Sequence, residues 1–192
     1  MAMLVLGLCL FLGVHSVRIL ADDWRTAQMA RLGEKRWKLL YTAVSLAGFG
    51  LLVWGYGLTR HAPVELWSPP RAMNYVAAML MLLSFVLLAA AYVPRNIFKA
   101  RLGHPMVLSV KVWALAHLLA NGNLADALLF GAFLLWAVAS FSAARRRDRA
   151  AGIAYAVASA GGTGLAVLAG GLAWVAFAFW LHTPLIGVAP LG

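Results

Sequence analysis

An all-α polytopic membrane bundle of about six transmembrane helices is expected from three observations on this 192-residue chain. Hydrophobic residues make up 64% and charged residues only 11%, with a mean hydropathy of +0.84. A soluble domain carries about 25% charged residues, so a water-soluble globule is excluded. The apolar residues gather in six runs near the roughly 20-residue length that spans a bilayer. Sixteen Lys and Arg against six Asp and Glu fall mostly between those runs, in the alternation expected of a membrane protein.

The same composition excludes disorder, and a single cysteine excludes a disulfide scaffold or a cysteine-cage zinc site. The formal charge of +10 belongs to cytoplasmic loops before it belongs to a nucleic-acid partner, and no nucleic acid is expected. Residues 1–192 read as one transmembrane domain, with no internal repeat or low-complexity tract.

The first run covers residues 2–20. It reads as a retained helix: Met1-Ala2-Met3-Leu4 lacks a basic leader, the charges follow the apolar stretch, and Ile19-Leu20-Ala21 is a poor cleavage site. Residues 22–38 suit an interfacial helix as well as they suit an ordinary loop. Asp22 and Asp23 complement a helix start, basic residues follow, and Trp24, Met29, Leu32 and Trp37 supply membrane anchors. The second run covers 39–58, the third 72–93, the shorter fourth 106–120, the fifth 124–143 and the sixth 164–182. Residues 150–163, rich in Gly and Ala, extend the sixth helix or form a flexible approach to it.

With alternating loops and an outside amino terminus, twelve basic residues fall inside and only Arg60 and Arg71 outside, while Arg18 and Lys111 lie within runs. The positive-inside rule then places both termini in the periplasm of a bacterial inner membrane. Trp24, Trp37, Trp67 and Trp180 fit aromatic belts. The small-residue faces Gly48/Gly50 and 161–171 suit close helix packing and permit a homodimer.

Ionisable residues within a bilayer are costly, so each is a functional candidate. His15 lies in the first run with Arg18 three residues on, and His117 lies in the fourth with Asn121 one turn beyond. Two histidines on different helices, with a basic residue near, suit haem iron with propionate pairing. Two helix-to-helix hydrogen bonds explain them equally well. The first and fourth helices run in opposite directions, which sets His15 and His117 roughly 10 Å apart in depth at 1.5 Å per residue. His104 is nearer in depth to His15 and stands as the rival second ligand, although beside Pro105 it suits a helix cap. Arg18 is the better propionate partner, and Lys111 snorkels toward the cytoplasm or pairs with a propionate. None of the six acidic residues lies at mid-bilayer, so a carboxylate relay is not expected. Cys9 reads as a small buried residue.

Several stretches resemble the NnrU family of bacterial membrane proteins. They are Gly13-Val14-His15-Ser16-Val17-Arg18, Ser45-Leu46-Ala47-Gly48-Phe49, Trp54-Gly55-Tyr56-Gly57, Ala91-Tyr92-Val93-Pro94 and His182-Thr183-Pro184-Leu185-Ile186-Gly187-Val188. The most specific run from Leu102-Gly103-His104-Pro105-Met106 through Lys111-Val112-Trp113-Ala114-Leu115-Ala116-His117-Leu118-Leu119-Ala120-Asn121-Gly122. The resemblance implies an association with nitrite and nitric oxide reduction in denitrifying bacteria. It also implies kinship with the plant 15-cis-ζ-carotene isomerase, a membrane haem b enzyme. Carried over from that relative, the haem ligands are His15 and His117, a bis-histidine pair. The relative has a cysteine three residues before the second histidine; here that position is Ala114, so a ligand switch and the isomerase chemistry built on it lose their support.

Three readings follow. The first is a haem b protein ligated by His15 and His117, with Arg18 near the propionates and a redox role in nitrogen-oxide respiration beside a redox partner protein. The second is a haem-dependent isomerase of an apolar, carotenoid-like polyene. The third is a haem-free scaffold in the lipid bilayer that binds partner subunits.

Overall fold

A computed structural model describes residues 1–191. Helices α1 (Ala2–Leu20), α3 (Glu34–Thr59), α4 (Ala72–Tyr92) and α7 (Leu124–Ala150) are long and apolar enough to cross a membrane. So is α8 (Ala160–Ala176), which runs on through a π-helical turn (Phe177–Leu181) into α9 (His182–Ile186). The apolar α6 (Pro105–Ala120) is shorter. Two short helices, α2 (Asp22–Leu32) and α5 (Ile97–Leu102), join them, and no strand occurs among the described residues. The protein is an all-helical, multi-pass membrane bundle.

The expected interfacial helix over 22–38 divides at Gly33. Only a residue without Cβ takes the backbone φ of +80° there at no cost, and the Gly33 amide closes α2 on the Met29 carbonyl at 3.0 Å. Residues 34–38 therefore belong to α3. The Gly/Ala-rich approach is non-helical over 153–159, and Ser159 caps α8 by accepting the Gly162 amide at 3.0 Å. Pro94 ends α4, because the residue before a proline avoids helical dihedrals. The fully buried Asn96 then donates to the carbonyls of Ala90 (2.8 Å) and Val93 (2.6 Å) and accepts the Lys99 amide (2.8 Å) that starts α5.

Neighbouring helices pack in the succession α3, α1, α7, α6, α4, α8, with no extended contact between α3 and α8 at its two edges. The core lies among α1, α3, α6 and α7, where Leu4, Leu8, Leu52, Ala114, Leu129 and Phe130 are buried together. Cys9, expected buried, is exposed on the outer side of α1. A face toward lipid suits a small weakly polar residue as readily as a core does.

Loops gather by charge. Arg147 donates to the Arg18 carbonyl at 3.4 Å, His104 meets Asp148 at 2.6 Å, and the Ser159 amide donates to the Arg95 carbonyl at 2.7 Å. These contacts bring the three basic segments to one end of the bundle. At the other end Arg60 donates to the Ile186 carbonyl, and the Leu124 amide donates to Val64 at 2.8 Å.

Helices α1 and α3 touch backbone to backbone. A Cβ added at Gly7 or Gly55 would stand inside van der Waals distance of the backbone of Leu52 or Leu4. Gly50 and Gly57, on the same helix as Gly55, face open space. Gly55→Ala should therefore cost about 1–3 kcal/mol through forced separation of the helices, while Gly57→Ala should leave stability unchanged. Thermal unfolding in detergent checks this: a drop of several degrees for the first variant alone is expected, and equal midpoints would refute the close contact.

Candidate functional site

His15 lies on α1, and its Nδ1 sits 2.6 Å from the Phe11 carbonyl one turn earlier. In the tautomer that donates from Nδ1, the Nε2 lone pair is left as the ligating atom. Phe11 (4.3 Å between ring centroids), Tyr41 (5.3 Å) and Trp136 (6.0 Å) surround the imidazole. These rings come from α1, α3 and α7, so three helices orient one histidine.

A cavity of about 340 Å³ opens beside it. Its wall includes Arg18 from α1, Arg25 and Met29 from α2, and Trp37, Lys38 and Tyr41 from α3. Arg25 is paired with Asp22 at 3.3 Å and Lys38 with Glu34 at 2.6 Å, while Arg18 has no carboxylate partner among the described residues. Trp136 also lines the cavity, and its Nε1 is a buried donor with no partner. An orphaned buried donor costs about 1–3 kcal/mol until an acceptor reaches it. Small-molecule pockets are of this size, mostly apolar, with a few convergent polar groups. The wall thus fits one face of a haem: a free imidazole nitrogen for iron, aromatic rings about the macrocycle, and cations for carboxylates. Arg18 lines the cavity, whereas Lys111, on α6, does not.

His117 lies elsewhere. Its Nδ1 sits 2.9 Å from the Trp113 carbonyl, and its ring stacks on Phe130 at 4.5 Å and 26°. Trp113, Phe133 and Phe11 form a row of rings between the two histidines, with centroid steps of 5.4, 5.3, 5.7 and 4.3 Å from His117 to His15. His15 meets α7 at Trp136 and His117 meets it at Phe130, six positions apart, which is about 9 Å of helical rise. The structure does not bring the two imidazoles to one cavity. Ala114 is fully buried at the core.

His104 begins α6 ahead of Pro105, as a cap position requires, but its side chain makes no capping bond. Its Nε2 meets Asp148 at 2.6 Å, and Asp148 also accepts the Tyr155 hydroxyl. Arg145 donates to that hydroxyl at 3.1 Å and lies over the ring. Burial, and then the hydrogen bond to Asp148, push the Tyr155 hydroxyl above its ordinary pKa, so it stays a neutral donor at physiological pH. The group is a latch that joins α6, α7 and the approach to α8.

At the opposite end Tyr56 donates to the buried Asp126 at 2.5 Å, and Asn123 donates to its second oxygen at 3.1 Å. Asp126 stands in the first turn of α7, where the helix dipole favours a carboxylate. Charge and spacing did not single out Tyr41, Trp136, Arg25, Lys38 or Met29 as site residues. The available signal was the one-turn spacing of Arg25 with Met29 and of Trp37 with Tyr41, which puts each pair on one helix face.

The family model described as NnrU protein matches residues 3–190. Neither the curated proteins nor the solved structures contain a significant match.

Tyr155→Phe should release the latch. Limited proteolysis within 151–158 should accelerate several-fold at neutral pH with helix content unchanged, and cleavage at the wild-type rate would show that Arg145 and His104 hold the segment without the hydroxyl.

Proposed function

The chain belongs to the NnrU family, and from that premise we propose that it binds haem b in the His15 cavity and serves a redox role in nitrite and nitric oxide respiration. The basic end faces the cytoplasm and both termini face the periplasm, by the positive-inside rule. The observation that carries the reading is the convergence on one cavity of a histidine with an unengaged Nε2 and of Arg18, Arg25 and Lys38. The link to nitrogen oxides rests on the family resemblance.

Haem b, when bound, supplies one-electron chemistry. The chain's own residues do the rest. The Phe11 carbonyl holds the His15 tautomer and so directs the Nε2 lone pair, a recurrent device behind ligating histidines. Arg18, the cation without a carboxylate partner, is disposed to bind a propionate with charge-assisted hydrogen bonds. Tyr41, Trp37 and Trp136 wall the cavity and exclude water from its apolar part. Ligation of the same iron by His117 as well requires the row of Phe11, Phe133 and Trp113 to open.

Purified protein from haem-sufficient cells should show a Soret band and, after dithionite, sharp α and β bands, with about one haem per chain by pyridine haemochrome. His15→Ala should lose most of that haem, and Arg18→Gln should weaken its retention roughly tenfold, the loss of one charge-assisted hydrogen bond. A wild-type spectrum blank above the tryptophan band would sink the reading and leave a haem-free scaffold.

A further inference from the structure

We infer that Arg95, Arg101, Arg146 and Arg149 form a docking surface for the phosphodiester headgroups of anionic phospholipids, at the basic end of the bundle and apart from the His15 cavity. The charge there is one-sided. Residues 93–104 and 142–159 together hold seven Lys and Arg and a single carboxylate, Asp148. Asp148 is already held by His104 and Tyr155. Three of the cations are occupied as well: Lys99 donates to the Ala91 carbonyl at 3.0 Å, Arg145 to the Tyr155 hydroxyl at 3.1 Å and Arg147 to the Arg18 carbonyl at 3.4 Å. The other four arginines are exposed, with no carboxylate at ion-pair distance among the described residues. A guanidinium stays charged at any physiological pH and matches phosphate oxygens with paired donors.

The fold sets these arginines at one place. Gly103, at φ +83°, ends α5 so close to Tyr155 and Arg145 that a Cβ there would collide with the Tyr155 ring. Arg101 stands two residues before that glycine. Arg145 and Arg149 are one turn apart on α7, so Arg149 shares the side of α7 that meets the end of α5. Arg95 holds a backbone φ of +50°, uncommon for a residue with a Cβ. Its carbonyl is fixed by the Ser159 amide at 2.7 Å and the Ser159 hydroxyl at 3.3 Å. Residues 151–159 thus run from the end of α7 past the end of α5 to Arg95.

That segment identifies the occupant as a lipid surface. Residues 151–158 carry no charge, yet Ile153 is 54% exposed and Val157 is 85% exposed. Tyr92, the last residue of α4, is 73% exposed. In water these side chains forgo the gain of burial, and the acyl boundary of a bilayer supplies it. An apolar strap between arginines, at the end of membrane-spanning helices, sits at headgroup level with the guanidinium groups at the depth of the phosphates. A soluble acidic partner would match the charges and leave Ile153 and Val157 uncovered. The other basic segment differs in composition, since residues 18–38 carry three carboxylates for six cations.

The test titrates full-length protein in detergent with phosphatidylglycerol or phosphatidylcholine and counts bound lipid by native mass spectrometry. Phosphatidylglycerol should bind roughly tenfold more tightly at low salt, a preference that added salt weakens. Replacing Arg101, Arg146 and Arg149 together by Gln should remove most of that preference, and replacing the same three by Lys should keep it. Replacing Arg31, Lys35 and Arg36 by Gln removes equal charge from the other basic segment and should also keep it. Equal thermal midpoints in phosphatidylcholine nanodiscs show that these variants are folded. A second reading needs no charge variant: phosphatidylglycerol nanodiscs should protect residues 151–158 from proteolysis several-fold over phosphatidylcholine nanodiscs, and Val157→Ser should reduce that protection. Equal affinity for the two lipids, or equal loss in the two glutamine variants, would overturn the surface. Displacement of phosphatidylglycerol by equimolar inorganic phosphate or by polyglutamate would point to a free anion or an acidic protein and overturn the lipid assignment.

Discussion

The closeness of α1 to α3 is the constraint on which the site depends. In a bilayer, helices gain little from the hydrophobic effect against one another, because lipid tails are as apolar as leucine. Association then comes from dispersion, which falls steeply with distance and so rewards backbones that touch. Gly7, Gly48 and Gly55 supply that touch against Leu52, Phe11 and Leu4. Their contact zone ends at the level of Phe11 and Gly48, and the cavity begins at Val14, the next turn of α1. Phe11 marks the boundary from both sides: its backbone packs on Gly48, and its carbonyl holds the His15 imidazole. The tight half of the pair therefore fixes the position of the His15 imidazole in the open half.

The polar groups are arranged so that few are left unpaired in hydrocarbon, where each would cost several kcal/mol. Ser84 donates to the Ser109 carbonyl at 2.9 Å between α4 and α6, and Asn96 satisfies three backbone groups where α4 stops. Tyr56 and Asn123 satisfy Asp126. Against that background the unpartnered Trp136 Nε1 stands out, because it lies on the cavity wall and at the edge of His15. Trp136 Nε1 is thus the buried side-chain donor among the described residues that is left open to an acceptor, and it lies on the cavity wall.

The spans were legible because length and apolarity suffice to mark a bilayer crossing. The gathering of basic segments at one end was legible from charge. What the pattern hid depends on single residues or on facing. Gly33 breaks the interfacial helix through one backbone angle. The six residues of α5 carry no apolar run of their own and follow from the Asn96 cap. The π-helical turn at Phe177–Leu181 has no periodic signature, and the outward turn of Cys9 depends on which face of α1 meets α3. The depth offset of His15 and His117 was readable from helix direction. The ring row between them was not, since it needs Phe11, Phe133 and Trp113 from three helices to meet.

The charges at the cavity mouth are better understood as exchangeable than as stabilising. Arg25–Asp22 and Lys38–Glu34 are neighbours on their own helices, and Lys38 and Glu34 are largely exposed. Exposed pairs of this kind contribute about 0–1 kcal/mol, so neither ion pair holds α2 or α3 in place. Each cation can leave its carboxylate for a stronger acceptor at small cost. A carboxylate brought to the cavity mouth would offer such an acceptor, because a lower effective dielectric strengthens the attraction. Arg18 has no pair to exchange and gains most from it. The same weakness that makes these pairs poor for stability leaves Arg25 and Lys38 able to change partners at the cavity mouth.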